Sequence, residues 1–274
     1  MPELPEVETV RQYLQTHLPG QTIKEVQVFL PRLVKNAGPS KFTAALQGAV
    51  IDDVERKGKY LFLRLHGPAS LLVHLRMTGR LLYEADAKAD LPPYSHILFN
   101  LSQGRLLYGD VRTLGCLWLV PSTGPTGVEG YDTLGPDGNS PQFTLEYLQQ
   151  ALGSSGRTIK TILLDQTCVA GLGNIYVDEA LFAAGIRPTC RGNRLGKARV
   201  KRLHSAIGQV LAEGLAYGGT TIRNFINGSG REGQNQENLC VYGRQGQPCR
   251  KCGTTIVYMK LGGRGTHYCP HCQK

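Results

Sequence analysis

Apolar positions near the start of the chain recur at helical spacing. Leu4, Val7, Val10 and Leu14 follow one another at steps of three or four, and Gly20 stands where a C-terminal cap belongs. Short strand-like runs follow at Thr22–Leu30, Ala49–Val54, Tyr60–Leu65, Ser70–Met77, His96–Leu101, Arg105–Tyr108 and Cys116–Val120. Many alternate and are bounded by Gly, Pro or Asn, and Ser102-Gln103-Gly104 reads as a hairpin turn. Strands without intervening helices predict a β-sandwich over residues 1–130, led by one helix. Glycines and prolines then punctuate the chain, with a linker expected over 131–141. Helical periodicity takes over at Thr144–Leu152, Thr158–Asp165, Asn174–Ala184 and Lys197–Ala216. Strands first and helices second predict an α+β protein of two domains.

Composition narrows the partner. The 274 residues hold 31 Lys+Arg against 21 Asp+Glu, a net charge of +10. This balance points to a polyanion, either nucleic acid or an anionic membrane surface. The basic residues cluster: seven lie between Glu179 and Glu213 and six after Glu237, with no acid in either stretch. A solvated basic face is the plainer reading of such runs. No apolar run approaches the ~20 residues of a membrane helix. The acidic, proline-bearing start Met1-Pro2-Glu3-Leu4-Pro5-Glu6 lacks the basic and apolar parts of a secretory signal. A soluble, cytoplasmic protein is expected. No extended apolar heptad is evident, so a monomer is expected.

Cys249-x2-Cys252 and Cys269-x2-Cys272 are separated by sixteen residues, the spacing of a zinc ribbon. Four thiolates leave no open position for water, so the expected role of one Zn2+ is structural. Its binding, worth ~10–16 kcal/mol, would fold a segment too small to fold alone. The intervening hairpin carries Arg264 between Gly263 and Gly265, where an arginine can reach a phosphate. Cys116, Cys168, Cys190 and Cys240 show no ligand spacing and read as ordinary small apolar residues. Upstream, Gly171-Leu172-Gly173 precedes Asn174, which is expected to cap the next helix. A helix N-terminus with free amides suits a phosphate, although a plain helix–helix turn fits as well.

The N-terminus carries candidate chemistry. Removal of Met1 would expose the secondary amine of Pro2, and an α-amine of pKa near 8 is partly unprotonated at neutral pH. Attack on a sugar carbon would give an iminium, an electron sink. Glu3 and Glu6, three residues apart, can share a helix face and move protons or orient the amine.

Met1-Pro2-Glu3-Leu4-Pro5-Glu6-Val7-Glu8-Thr9 resembles the N-terminus of the formamidopyrimidine-DNA glycosylase family. The resemblance continues through Lys57-Gly58-Lys59-Tyr60-Leu61, His74-Leu75-Arg76-Met77-Thr78-Gly79, Asp110-Val111-Arg112 and Gly171-Leu172-Gly173-Asn174-Ile175-Tyr176. Tyr217-Gly218-Gly219-Thr220-Thr221, Val241-Tyr242-Gly243-Arg244 and the zinc ribbon complete it, in the family's order and over almost the whole chain. It implies an N-terminal β-sandwich with a leading helix. A helix-two-turns-helix domain (142–238) and a zinc finger (239–274) follow. It also implies excision of oxidised purines from double-stranded DNA and strand cleavage at the abasic site by β,δ-elimination.

Residue by residue, Pro2 matches the family's nucleophile, Glu3 its acid/base and Glu6 a supporting carboxylate. Lys59 matches the lysine of β-elimination, and Arg264 the finger arginine of δ-elimination. Asn174, Lys160 and Tyr242 match phosphate contacts. Met77 and Arg112 match residues inserted into the gap left by the everted base. Segment 218–238, using Thr220, Ile222, Arg223, Asn224 and Phe225, matches the mobile loop that folds over that base. Three departures stand out. Thr113 and Leu114 replace a basic residue and Phe, so Leu114 is a wedge that cannot stack as a ring does. Tyr94 stands where a histidine is frequent and could still donate to phosphate. A basic cluster before Lys160 is thinned to Ser154-Ser155-Gly156-Arg157, leaving Arg157 as the DNA contact there. Two alternatives compete: a sister glycosylase acting on oxidised pyrimidines, against which Leu4 argues, and a non-catalytic zinc protein that binds DNA. The second leaves the proline and its two carboxylates unexplained.

Overall fold

The leading helix, α1 (Leu4–Gln15), forms as its period predicts and buries Leu4, Val7, Val10 and Leu14 completely or nearly so. It ends at Gln15 with Thr16 as C-cap, earlier than Gly20 suggests. Gly20 (φ +82) instead closes the turn beyond it and donates its N–H to Ile51 O at 2.8 Å. Leu18 continues the apolar pattern outside the helix and is fully buried.

The computed structural model describes residues 1–274, and two units emerge. One comprises Met1–Thr133 with Tyr217–Gln234, the other Leu134–Ala216 with Asn235–Lys274. In the first, eight strands form two antiparallel sheets. They are β1 (Ile23–Val28), β2 (Ile51–Lys57), β3 (Tyr60–Leu65), β4 (Ala69–His74), β5 (Gly79–Glu84), β6 (Ser95–Leu101), β7 (Arg105–Asp110) and β8 (Cys116–Pro121). The sheet orders are β1-β6-β7-β5 and β2-β3-β4-β8. Alternate residues of both sheets meet in one core: Leu61, Leu63 and Leu65 of β3 with Ile97, Phe99 and Leu101 of β6. Against this core lies α2 (Pro39–Leu46), which sequence periodicity missed because only Phe42 and Leu46 are buried. The expected strand Ser70–Met77 stops at His74 as β4, because Arg76 at φ 53 turns the chain, and β5 lies beyond any run read from the sequence.

The second unit holds α4 (Leu145–Gly153), α5 (Ile159–Leu163), α6 (Asn174–Ala183), α7 (Lys197–Ala216) and the hairpin β9 (Val257–Leu261) and β10 (Arg264–Tyr268). Thr144 caps α4, its hydroxyl accepting from Tyr147 N at 3.1 Å. The expected linker 131–141 is not free chain. Tyr131, in the short α3 (Glu129–Asp132), packs edge-on against Tyr60 in the first unit. Gly135 N and Pro136 O bond Gln166 and Ala170 in the second. Segment 217–234 belongs with the β-sheet unit, whereas the sequence grouped it with the helices.

Candidate active site

The amino end is a cluster of buried charge. Pro2 is buried, and Glu3, Glu6 and Lys59 are 3%, 1% and 5% exposed. Glu3 is the N-cap of α1, in a reciprocal capping box with Glu6. Glu6 Oε2 accepts Glu3 N–H at 2.7 Å, and its Oε1 accepts Thr220 N–H at 2.6 Å. This second bond ties segment 217–234 to α1. It needs glycine at 219, where φ is +89 and a Cβ would lie 3.0 Å from Glu6 Cγ. Burial lowers the pKa of the terminal amine, here carried by Met1 next to Pro2, below its ordinary 8.0. Glu3 and Glu6 oppose that shift, while the charges of Lys59 and Arg112 add to it. An amine whose proton is held less tightly, beside two carboxylates and a lysine, is suited to nucleophilic attack.

Of the expected base-recognition residues, Thr220 is buried with its N–H on Glu6, and Phe225 packs on the sandwich core. Thr221 Oγ1 donates to Phe225 O and accepts from Gly233 N, closing the segment on itself. Ile222, Arg223 and Asn224 are exposed.

Met77 and Leu114 are apolar yet 41% and 46% exposed, and Arg112 between them in sequence is exposed too. A buried carboxylate that sequence reasoning did not assign, Asp110, organises this edge. Its Oδ1 accepts Thr78 Oγ1–H at 2.5 Å and Arg112 N–H at 3.2 Å, and its Oδ2 accepts Gly115 N–H at 2.7 Å. One side chain thus joins the loop of Met77 to the loop of Arg112 and Leu114. Both loops hold left-handed backbone at residues that disfavour it, Arg76 (φ 53) and the β-branched Thr113 (φ 52). Gly115 is required there, because a Cβ would sit 1.5 Å from the Tyr108 hydroxyl. Tyr94 (φ 64) is 56% exposed, and its carbonyl accepts Asp110 N–H at 3.1 Å. His74, also unassigned from sequence, accepts Arg76 N–H on Nδ1 at 2.9 Å. Burial, then the charges of Arg76 and Lys59, push its pKa down to about 3, so the ring is neutral.

In the helical unit two expectations need correction. Asn174 does not cap α6: Gly173 is the N-cap, and Asn174 is the first helical residue. Gly171 (φ +88) makes the left-handed turn before it. Lys160, matched to a phosphate contact, has no exposed side chain to offer one. It is fully buried, and its Nζ donates to Asp178 Oδ1 at 2.6 Å and Gly265 O at 2.8 Å. Asn174 Nδ2 donates to the same Gly265 carbonyl at 2.9 Å. Arg157 is exposed but tied to Asp165 by two bonds of 3.0 Å. Arg264 is exposed at the hairpin tip. Tyr242 is half-buried, its ring against His267 and its N–H on Glu179 Oε1 at 2.8 Å. Glu179 also accepts from Cys240 and Val241, and burial still raises its pKa. The sequence signal for these partners is Asp178-Glu179, two acids inside an otherwise apolar stretch of α6.

Cys249, Cys252, Cys269 and Cys272 place their sulfurs within 4.8 Å of one another. Tetrahedral coordination with Zn–S near 2.3 Å requires S···S of about 3.8 Å. Cys249–Cys272 at 4.0 Å and Cys252–Cys269 at 3.5 Å fit it. Backbone N–H groups of Lys251 and Cys272 point at Cys249 and Cys269 sulfur, each at 3.4 Å. The four cysteines suit one structural zinc with no open position.

A β-sandwich led by a helix, helices around a Gly-x-Gly-Asn turn, and a four-cysteine hairpin are together the architecture of the helix-two-turns-helix DNA glycosylases. Family models match in that order. The formamidopyrimidine-DNA glycosylase N-terminal domain matches residues 1–117, the formamidopyrimidine-DNA glycosylase H2TH domain 134–226, and the zinc finger found in FPG and IleRS 246–274. Formamidopyrimidine-DNA glycosylase of Pelotomaculum thermopropionicum is 46% identical over 277 residues, covering 100% of this chain and 99% of that protein. A mutant Lactococcus lactis FPG bound to DNA containing Fapy-dG superposes with TM-score 0.91 at 37% identity, over 100% of both chains. The Lactococcus lactis Fpg complexed with DNA containing an abasic site gives TM-score 0.91 at 37% identity, over 99% of both. The chain belongs to the formamidopyrimidine-DNA glycosylase family. No helix is long and apolar enough to cross a membrane.

Proposed function

We propose that this protein excises oxidised purines, 8-oxoguanine and formamidopyrimidines, from duplex DNA and cleaves the strand at the abasic site that results. The observation that carries this reading is the convergence of Glu3, Glu6, Lys59 and Arg112 on the amino end of the chain. With Met1 removed, the nitrogen of Pro2 forms a bond to C1′ as the glycosidic bond breaks, and the base leaves with a proton. Glu3 gives a proton to O4′ as the C1′–O4′ bond breaks, which opens the sugar to an iminium, and Glu6 fixes the Glu3 backbone. The iminium accepts the electrons released when C2′ loses a proton, which expels the 3′ phosphate with Lys59 assisting. A second elimination, assigned to Arg264, expels the 5′ phosphate, and hydrolysis then restores the free proline. The zinc holds the finger and takes no part in these steps.

The target carbon is inaccessible in a stacked duplex, so the nucleotide must be everted. Met77, Arg112 and Leu114 fill the space left, with Arg112 bonding the estranged cytosine. Asn174 keeps a second amide N–H for phosphate, and Tyr94, Arg157 and Tyr242 make further backbone contacts. Thr220–Phe225 closes over the everted base. This substrate suits a cytoplasmic location, at the nucleoid if the source is bacterial.

Borohydride trapping on an 8-oxoguanine:cytosine duplex tests the reading. The expected result is a covalent adduct with the wild type, lost in Pro2→Gly and in a preparation whose N-terminus is capped by an uncleaved tag. Tight duplex binding with neither adduct nor base release would refute it. Faster release of oxidised pyrimidines than of 8-oxoguanine would assign the sister activity.

A further inference from the structure

We propose that Lys160 and Asp178 are positioning residues for Arg264, holding the finger hairpin at the peptide unit that follows it. Lys160 Nζ, from α5, and Asn174 Nδ2, from the start of α6, both donate to Gly265 O, at 2.8 and 2.9 Å. Asp178 sits one turn further along α6. Its Oδ1 takes the Lys160 ammonium at 2.6 Å, and its Oδ2 takes His267 N–H of β10 at 2.9 Å. Gly265 and His267 are alternate residues of one strand, so both are gripped from the same side.

The hairpin needs such a grip. It has two strands only, and a two-stranded ribbon is marginal by itself. The zinc ligands Cys249, Cys252, Cys269 and Cys272 all lie at its open end. At the tip, Arg264 pairs with Leu261 across Gly262 and Gly263, and it is exposed. Lys160 and Asp178 are both fully buried, which costs desolvation that a surface pair avoids. A buried pair that spans α5, α6 and β10 sets one register between them. It also withholds the lysine from solvent and so from phosphate.

The inference rests on the assignment of the second elimination to Arg264 and is tested beside it. The zinc-loaded full-length protein is given a duplex with a preformed abasic site, and the β-elimination and β,δ-elimination products are resolved. Arg264→Ala is the reference. Lys160→Met and Asp178→Asn are expected to raise the ratio of β to β,δ product by up to about a hundredfold, as displacement of a catalytic group by ~1 Å can. Zinc stoichiometry should be unchanged, and trapped adduct should stay within about twofold. A merely destabilised enzyme loses both products together, and the ratio does not move. Should the single variants fail to fold, Lys160→Met/Asp178→Leu removes both buried charges and is read in the same way. An unchanged ratio in these variants, with Arg264→Ala shifted, overturns the positioning role alone. An unchanged ratio in Arg264→Ala overturns the Arg264 assignment, and the proposal with it. A salt slope of duplex binding lowered by about 1 in Lys160→Met restores the phosphate contact and also overturns the proposal.

Discussion

Asp110→Asn separates base eversion from the chemistry that follows. The carboxylate accepts three hydrogen bonds, from the Thr78 hydroxyl, Arg112 N and Gly115 N. Asparagine has nearly the same shape but only one acceptor oxygen. With that oxygen toward Thr78, its NH2 opposes the N–H of Gly115, donor against donor. With the amide flipped, Thr78 loses its acceptor and Arg112 N–H keeps only the Thr78 hydroxyl, at 3.0 Å. Gly115 is buried, so water cannot replace the missing partner there. A buried donor left without a partner costs about 1–3 kcal/mol. That energy falls on the loop carrying Arg112 and Leu114, which already holds left-handed Thr113. Spent on the loop's ordered state, 1–3 kcal/mol lowers its relative population by about 5- to 150-fold. Single-turnover excision of 8-oxoguanine opposite cytosine should fall within that range. Elimination at a preformed abasic site in the same duplex should fall less than about threefold, since no base remains to be everted. Both rates are measured with enzyme in excess, and urea unfolding reports the folded fraction. Equal losses on the two substrates, or undiminished excision, would show that Asp110 does not set the wedge.

Two further outcomes follow from the same edge of the sandwich. His74 has a folded-state pKa of about 3, below its ordinary 6.5, so the unfolded chain takes up a proton that the folded chain refuses. Its contribution is nil above pH 6.5 and turns destabilising as pH falls toward 3, amounting to about 2 kcal/mol between pH 7 and 5. Urea unfolding of His74→Gln at these two pH values should show a loss smaller by that amount, and an identical loss would refute the assignment. Leu114→Phe puts a stacking ring on the exposed wedge, and at about 0.5–1.5 kcal/mol for such a contact should speed excision several-fold. The abasic-site rate should barely change, and equal effects on the two rates would contradict the wedge role.

Much of the fold is legible in the sequence, because it is set by spacing along the chain. The period of Leu4, Val7, Val10 and Leu14 makes α1, the short apolar run Tyr60–Leu65 makes β3 at the bounds expected, and the two Cys-x2-Cys pairs make the metal site. The candidate nucleophile, its two carboxylates and Lys59 were legible too, through motifs that lie in short runs. Elements with few buried positions, such as α2, and breaks caused by backbone strain, as at Arg76, left no periodic trace.

What a charged side chain does was decided only by what folds against it. Lys160 reads as a phosphate contact, yet it is sealed beside Asp178 and bonds a carbonyl 105 residues away. Asp110 joins Thr78 across 32 residues, and Glu6 meets Thr220 across 214. Burial and hydrogen-bond partners come from contacts between distant segments, and no pattern of neighbouring residues encodes them. An ammonium in water and one enclosed with a carboxylate share a residue type and differ in function, because only the first keeps its charge available to DNA.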